Sequence, residues 1–296
     1  MKDIKLLISA AGYFGCNTLV ENLKNNGERK IEIIGTDMNP NCAARFYCDK
    51  FYPTPAGHEP DFIPKLLDIC KQEKPDILLP ASSYEVYPLA FHRKEFEGLG
   101  IKLMISNTST LDVALDKFDV YHRLTGIIPL PNYFYSRKGF VSKPVNGKGA
   151  RDIKIYQDES LIMEKMEGEE IDADVLSYDK DVLLAVFKTR ERVYGGTLVE
   201  GKIVSRPYLL EQIKRIIKVI PIQYLSVIQF MGGKLLEINP RLAGCLPYFK
   251  EWNMPYLAVK LALGEITPEE IKKYQDKIQF NMKIVRFLDQ KQYSDD

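Results

Sequence analysis

Apolar runs and amphipathic runs alternate through the first third of the chain, and this alternation restricts the fold more than any other feature. "IKLLISA" at 4–10 reads as a strand and "FGCNTLVENLKNN" at 14–26 as a helix ending near Gly27. "IEIIGTD" at 31–37 is a second strand, "DFIPKLLDICKQE" at 61–73 a helix, and "DILLPAS" at 76–82 and "KLMIS" at 102–106 further strands. Parallel strands need long crossovers, usually helical, so strands alternating with helices predict a doubly wound parallel sheet over about residues 1–107. "TSTLDVALDKFDVYHRLTG" at 108–126 predicts one more helix. After Gly126 the texture changes to Pro, Gly and short β-branched runs, which predict mostly antiparallel strands as far as Val204. Helical patterns return at 207–219 and between 245 and 275, and the charged tail "DQKQYSDD" is expected to fray.

Composition excludes several classes. Of 296 residues 45% are hydrophobic, enough for packed cores, and the net charge of 41 − 40 = +1 gives no bulk pull on nucleic acid or anionic membrane. The N-terminal apolar run is too short for a signal peptide, and no apolar run is long enough to span a bilayer. Five cysteines without a CxxC predict no disulfide framework and a reducing, cytoplasmic setting. Three histidines without HExxH, and the lack of GxSxG, leave zinc and serine hydrolases little support.

"SAAGYFGCNTL" follows the first strand, and Asp37 ends the second. This invites a dinucleotide reading, because an acid there can hold a ribose. The glycines are only Gly12 and Gly15, with Thr18 in the third place, and a tight strand-to-helix turn needs glycines in any case. A stronger signal lies in "KLLEINPRLAG" at 234–244, where Glu237, Asn239 and Arg241 recur at every second position. Extended backbone would bring all three to one face. Magnesium prefers oxygen ligands shared with phosphates, and an arginine can hold a transferring phosphoryl group. A strand end with a surface salt bridge would read the same. Upstream, "GFVSKPVNGKGARDIKIY" puts Lys143 on a short apolar strand before a loop with Gly147, Lys148 and Gly149, suited to phosphates. "LIMEKMEGEEIDADV" adds an apolar strand, Glu164, and the acids Glu169 and Glu170.

Lysine strand, glycine loop, acidic hinge and terminal ExNxR occur in that order, and the chain resembles the ATP-grasp superfamily, most closely its carbamoyl-phosphate synthase-like and biotin carboxylase-like branch. The resemblance implies an α/β (α+β) architecture: a Rossmann-like domain over 1–107, then an ATP-grasp domain over 108–296 with a trimmed lid at about 131–166. It implies ATP with Mg2+, or Mn2+ in its place. Lys117 and Lys143 would approach the phosphates, and Gly147, Lys148 and Gly149 would close over them. Glu164, Lys165, Met166 and Glu167 would form the adenine hinge, and Glu170 would meet the ribose. Gln229, Glu237 and Asn239 would be metal ligands. Arg241 would stabilise the transferred phosphoryl group, with Arg190 facing substrate or phosphate.

Gln229 and Glu237 sit on adjacent strands joined by "FMGGK" and share a face only if the turn has an odd number of loop residues. A three-residue loop, Met231 to Gly233, is therefore expected, and a two-residue Gly232–Gly233 turn would point Gln229 away. The implied activity is an ADP-forming carboxylate–amine (or carboxylate–thiol) ligase that works through an acyl phosphate. A non-catalytic nucleotide-binding module, a carbamoyl-phosphate-synthase-like subunit and an NAD(P) enzyme remain as alternatives. Expected partners are small carboxylate and amine substrates, without nucleic acid or membrane, and a homodimer is the default assembly. "PASSYEVYP" at 80–88 is read evenly as substrate-lining or as helix capping by serine, and "PRLAGCLPYF" as reaching the acyl site or as packing.

Overall fold

A computed structural model describes residues 1–143, 153–242 and 250–286. The chain begins β1 (Ile4–Ser9), α1 (Cys16–Lys24), β2 (Ile31–Asp37), α2 (Ala44–Tyr47), β3 (Lys50–Pro53), α3 (Phe62–Glu73), β4 (Ile77–Pro80), α4 (Ser83–Phe91), α5 (Arg93–Gly98) and β5 (Lys102–Leu103). These strands form a five-stranded parallel sheet in the order β3-β2-β1-β4-β5. The edge strand β3 has no apolar run long enough to betray it. The order reverses beside β1, where a doubly wound sheet opens a crevice at its carboxyl edge.

The expected helix at 108–126 is two helices, α6 (Thr108–Ala114) and α7 (Lys117–Leu124). Asp116 breaks it, because its carboxylate accepts the Asp119 N–H and so starts a new helix. Lys117 thereby becomes the first residue of α7. Next come β6 (Tyr133–Ser136), β7 (Phe140–Ser142), β8 (Lys154–Tyr156) and β9 (Ser160–Met163), which pair as β6–β9 and β7–β8. The remainder is β10 (Glu170–Tyr178), β11 (Asp181–Thr189), β12 (Arg192–Tyr194), β13 (Thr197–Val204), α8 (Pro207–Val219), β14 (Tyr224–Met231), β15 (Lys234–Asn239), α9 (Met254–Leu263), α10 (Pro268–Lys272) and β16 (Lys283–Val285). A seven-stranded antiparallel sheet runs β12-β13-β11-β10-β14-β15, with β16 against β13.

Both faces of this sheet are covered. Ile171, Ala173 and Val175 of β10 lie with Ile228, Phe230 and Leu235 against α7 and α8. Helix α8 supplies Leu209, Ile213, Ile216 and Ile217, a three-to-four spacing that makes one apolar stripe. On the other face, Leu176, Leu184, Val186 and Leu225 join a core shared with β1, β2, α1 and α9. That face is apolar only over this half; Glu170, Asp172 and Asp174 occupy its other end on the same strand. Among the described residues no helix is long and apolar enough to cross a membrane.

The two sheets are tied through α9. Asn253 caps it by accepting the Tyr256 N–H at 3.2 Å and donates to the Asn22 carbonyl of α1 at 2.6 Å. The buried Arg29 guanidinium donates to the Tyr256 hydroxyl at 3.2 Å and pairs with Glu265. Asn253→Ala removes the cap and orphans the Asn22 carbonyl, so it should destabilise the protein by about 2 kcal/mol in urea unfolding.

Candidate active site

The turn between β14 and β15 corrects one expectation. Met231 pairs with Lys234, so the loop has two residues, Gly232 and Gly233, both at positive φ (56° and 82°). Such a turn suits the strand twist. In a regular hairpin it would send Glu237 to the face opposite Gln229. It does not, because the register shifts: Phe230 pairs with Leu235, yet Gln229 pairs with Glu237. Leu236 is the extra residue of a β-bulge. The Tyr121 hydroxyl of α7 donates to the Leu236 carbonyl at 2.8 Å and lies 3.2 Å from the Leu235 carbonyl.

With this register a polar row crosses the sheet. Lys188 of β11 pairs with Asp172 of β10, Asp172 with Gln229 of β14, and Gln229 with Glu237 of β15. The Gln229 amide nitrogen donates to Asp172 Oδ1 at 2.8 Å, and Arg190 donates to Asp172 Oδ2 at 2.8 Å. Arg190 also pairs with Glu170 at 2.8 Å and donates to the Gly196 carbonyl at 3.0 Å. Burial pushes the Glu170 carboxyl up, Arg190 opposing and Asp172 and Glu237 adding to the shift. Asp174 is wholly buried in an ion pair with Lys188, and burial raises its pKa too.

Asn239 donates to Glu237 Oε1 at 2.8 Å, and Lys117 from the start of α7 reaches Glu237 Oε2 at 3.2 Å. Arg241 follows the strand, its N–H bonded to the Asn239 carbonyl at 2.8 Å, and its Nε donates to Ser83 Oγ at 2.8 Å. Burial pulls the Arg241 pKa down, while Tyr13 and Glu237 oppose this. Gln229, Glu237 and Asn239 are neighbouring and half-buried, and all three carry oxygens suited to a hard divalent cation. Among the described residues no three His, Cys, Asp or Glu side chains converge as a metal site. One carboxylate and two amide oxygens leave places in a hard cation's shell that phosphate oxygens can fill.

The hinge predicted from "EKMEGEE" packs on the hairpin tip. Glu164 pairs with Lys234 and accepts from Asn132 at 2.8 Å, and Lys234 is the main cause of its lowered pKa. A Cβ on Gly168 would sit 2.9 Å from the Gly232 Cα, and one on Gly232 2.3 Å from the Glu167 carbonyl oxygen. Both positions also have positive φ, so the pair of glycines permits the approach. The Gly232 N–H bonds the Glu169 carbonyl at 3.0 Å, and Arg206 pairs with Glu169 at 2.6 Å. Lys165 and Glu167 are exposed and Met166 half-buried, all between β9 and β10. Lys143 follows β7 and is exposed. Gly147, Lys148 and Gly149 lie outside the described residues.

The first sheet's crevice faces Arg241. Asp37 directs its two oxygens at the Gly12 and Asn39 N–H groups, at 2.7 and 2.8 Å. It thus fastens the β1–α1 turn, a structural role for the acid on which the dinucleotide reading drew. "PASSYEVYP" divides its roles: Ser82 caps α4 by accepting the Tyr84 N–H, while Ser83 holds Arg241. Glu85 is buried, accepts from Ser9 Oγ at 2.6 Å, and has its pKa pushed up to about 7, chiefly by burial. Sequence reasoning missed Asp172, Asp174, Lys188 and Tyr121. The acids at 170, 172 and 174 alternate with Ile171 and Ala173, a period-two signal; Lys188 and Tyr121 carry no such mark.

Two family models match separate parts of the chain. Residues 6–104 match one described as "PylC-like, N-terminal domain", and residues 157–285 one described as "ATP-grasp in the biosynthetic pathway with Ter operon". No curated protein sequence matches. Phosphoribosylglycinamide synthetase from Anaerococcus prevotii superposes with a TM-score of 0.65 at 18% identity, covering 95% of this chain and 80% of that one. Biotin carboxylase from Campylobacter jejuni, in its β-γ-ATP complex, gives 0.65 at 12% identity, covering 94% and 74%. L-amino acid ligase from Bacillus licheniformis gives 0.62 at 14%, covering 91% and 77%. The chain spans only 30% of the multifunctional pyruvate carboxylase from Rhizobium etli, to which it is similar at 13% identity with a TM-score of 0.64. At these identities the likeness establishes the ATP-grasp fold.

Tyr121→Phe keeps the ring but leaves the bulge carbonyls without their donor, and should cost about 1 kcal/mol in urea unfolding. Glu85 gives a pH signature. The folded protein keeps the Glu85 proton up to about pH 7, whereas the unfolded chain loses it near the ordinary 4.5. The folded state binds more protons in that window, so this group's contribution to stability falls as pH rises through it. Glu85→Gln cannot titrate, so its stability relative to wild type should rise by about 3 kcal/mol between acidic and mildly alkaline buffer.

Proposed function

Taking as premise that the chain joins a PylC-like N-terminal domain to an ATP-grasp domain, we propose that it is an ADP-forming ligase that activates a small carboxylate as an acyl phosphate and transfers it to an amine. The observation that carries this reading is the convergence of Gln229, Glu237, Asn239, Lys117 and Arg241 at one end of the antiparallel sheet. ATP would lie between this sheet and the β6–β9 strands, with its phosphates toward Glu237. A divalent cation held by Gln229, Glu237 and Asn239 would neutralise charge on the phosphates when bound.

The protein's own part is positioning and charge. A substrate carboxylate oxygen attacks the γ-phosphorus, the bond to the bridging oxygen breaks, and ADP leaves. Arg241 stabilises the charge on the transferred group, and Ser83 fixes its orientation through the 2.8 Å bond to Nε. Lys117, held near Glu237 by their ion pair, adds positive charge on the phosphate side. The amine then attacks the acyl carbon, the C–N bond forms, phosphate departs and the nitrogen gives up a proton. A thiol acceptor would follow the same course. No step needs a nucleophile from the protein.

The test is ADP release with magnesium-ATP across a panel of carboxylates, with hydroxylamine as acceptor. Hydroxamate should form with the correct acid and fall at least about 100-fold in Glu237→Ala. Equal turnover in Glu237→Ala would sink the mechanism, and ATP binding without consumption of any acid would favour a binding module.

A further inference from the structure

Asp172 sits in the middle of the polar row and almost fully buried, and it touches two functional side chains at once. One carboxylate oxygen accepts from the Gln229 amide at 2.8 Å and the other from Arg190 at 2.8 Å. A carboxylate only accepts hydrogen bonds, and a guanidinium only donates them. The side of the Gln229 amide turned to Asp172 must therefore be its NH2. Its oxygen is then left for the opposite side, where Glu237 lies directly across the strands.

We propose that Asp172 is a positioning residue that sets which end of the Gln229 amide faces a bound cation. The proposal rests on the ligase reading above and adds to it a residue that would not itself touch metal or nucleotide. The substitution Asp172→Asn would reverse the arrangement. Arg190 offers only donors, so the oxygen of the introduced amide must face Arg190 and its NH2 must face Gln229. Gln229 would then have to turn its own oxygen inward and present its NH2 to the cation. Glutamate at 229 escapes this conflict, because it carries an oxygen on both sides.

The test is Mn2+ binding, followed by electron paramagnetic resonance, with a non-hydrolysable ATP analogue present. Asp172→Asn should weaken Mn2+ about tenfold or more in the wild-type background, as loss of an orienting partner does at other metal sites. When Gln229→Glu is already present the same substitution should bring no loss of Mn2+ affinity, because it replaces one of two carboxylates facing each other across the 2.8 Å contact with an amide that can donate. Equal penalties in both backgrounds, or none in either, would overturn the proposal while leaving the ligase reading intact. Failure of the wild-type protein to bind Mn2+ with the analogue would overturn both. A second measurement does not need Asp172→Asn to fold. In the wild-type protein, the Gln229 side-chain NH2 resonance, assigned by its loss in Gln229→Glu, should resist solvent exchange. Its side-chain carbonyl 13C should shift when Mg2+ and the analogue bind. A freely exchanging amide, or a carbonyl that does not move, counts against the assignment.

Discussion

A single bulged residue, Leu236, governs the rest of the site. Leu235 and Ile238 must both reach the core under α7 and α8, and two residues three apart cannot share a face of a regular strand. The extra residue resolves this, and the same shift brings Glu237 opposite Gln229 and Asn239 opposite Val227. Packing on one face thus sets the chemistry on the other. Tyr121 connects the two, since it lies in the core, bonds the bulge carbonyls and belongs to the helix that starts with Lys117.

The antiparallel sheet divides one face between two uses. Near Leu176, Leu184 and Leu225 it buries apolar surface against the first domain and α9. Toward Glu170, Asp172 and Arg190 the same face is charged. Buried charges are tolerated only when paired and hydrogen-bonded. Here the pairing is extensive: Asp174 with Lys188, and Asp172 and Glu170 with Arg190. The apolar half holds the domains together, and the charged half opens where Arg241 meets Ser83.

The first domain contributes more than a platform. Its crevice at the carboxyl edge contains Ser9, Glu85 and the capped start of α4. The acid that could have marked a dinucleotide site, Asp37, is committed to backbone N–H groups. The serine that could have been only a cap has a neighbour, Ser83, that reaches across to Arg241. In both cases the residue type alone permitted two roles, and the hydrogen-bond partners selected one.

The ordered motifs carried the resemblance to the ATP-grasp fold; the sequence by itself determined the parallel sheet and helix α8 over Pro207–Val219. Those features are local: period, caps and spacing are written along the chain. It did not determine the break before Lys117, where the Asp116 side chain competes with the helix backbone. Nor did it determine the two-residue turn and its compensating bulge, the engagement of Glu164 by Lys234, or the place of Asp172 between Gln229 and Arg190. Each depends on what lies across the strand or across the domain junction. Side-chain alternation fixes a face only while the register is regular, and register is decided by the core packed beneath it.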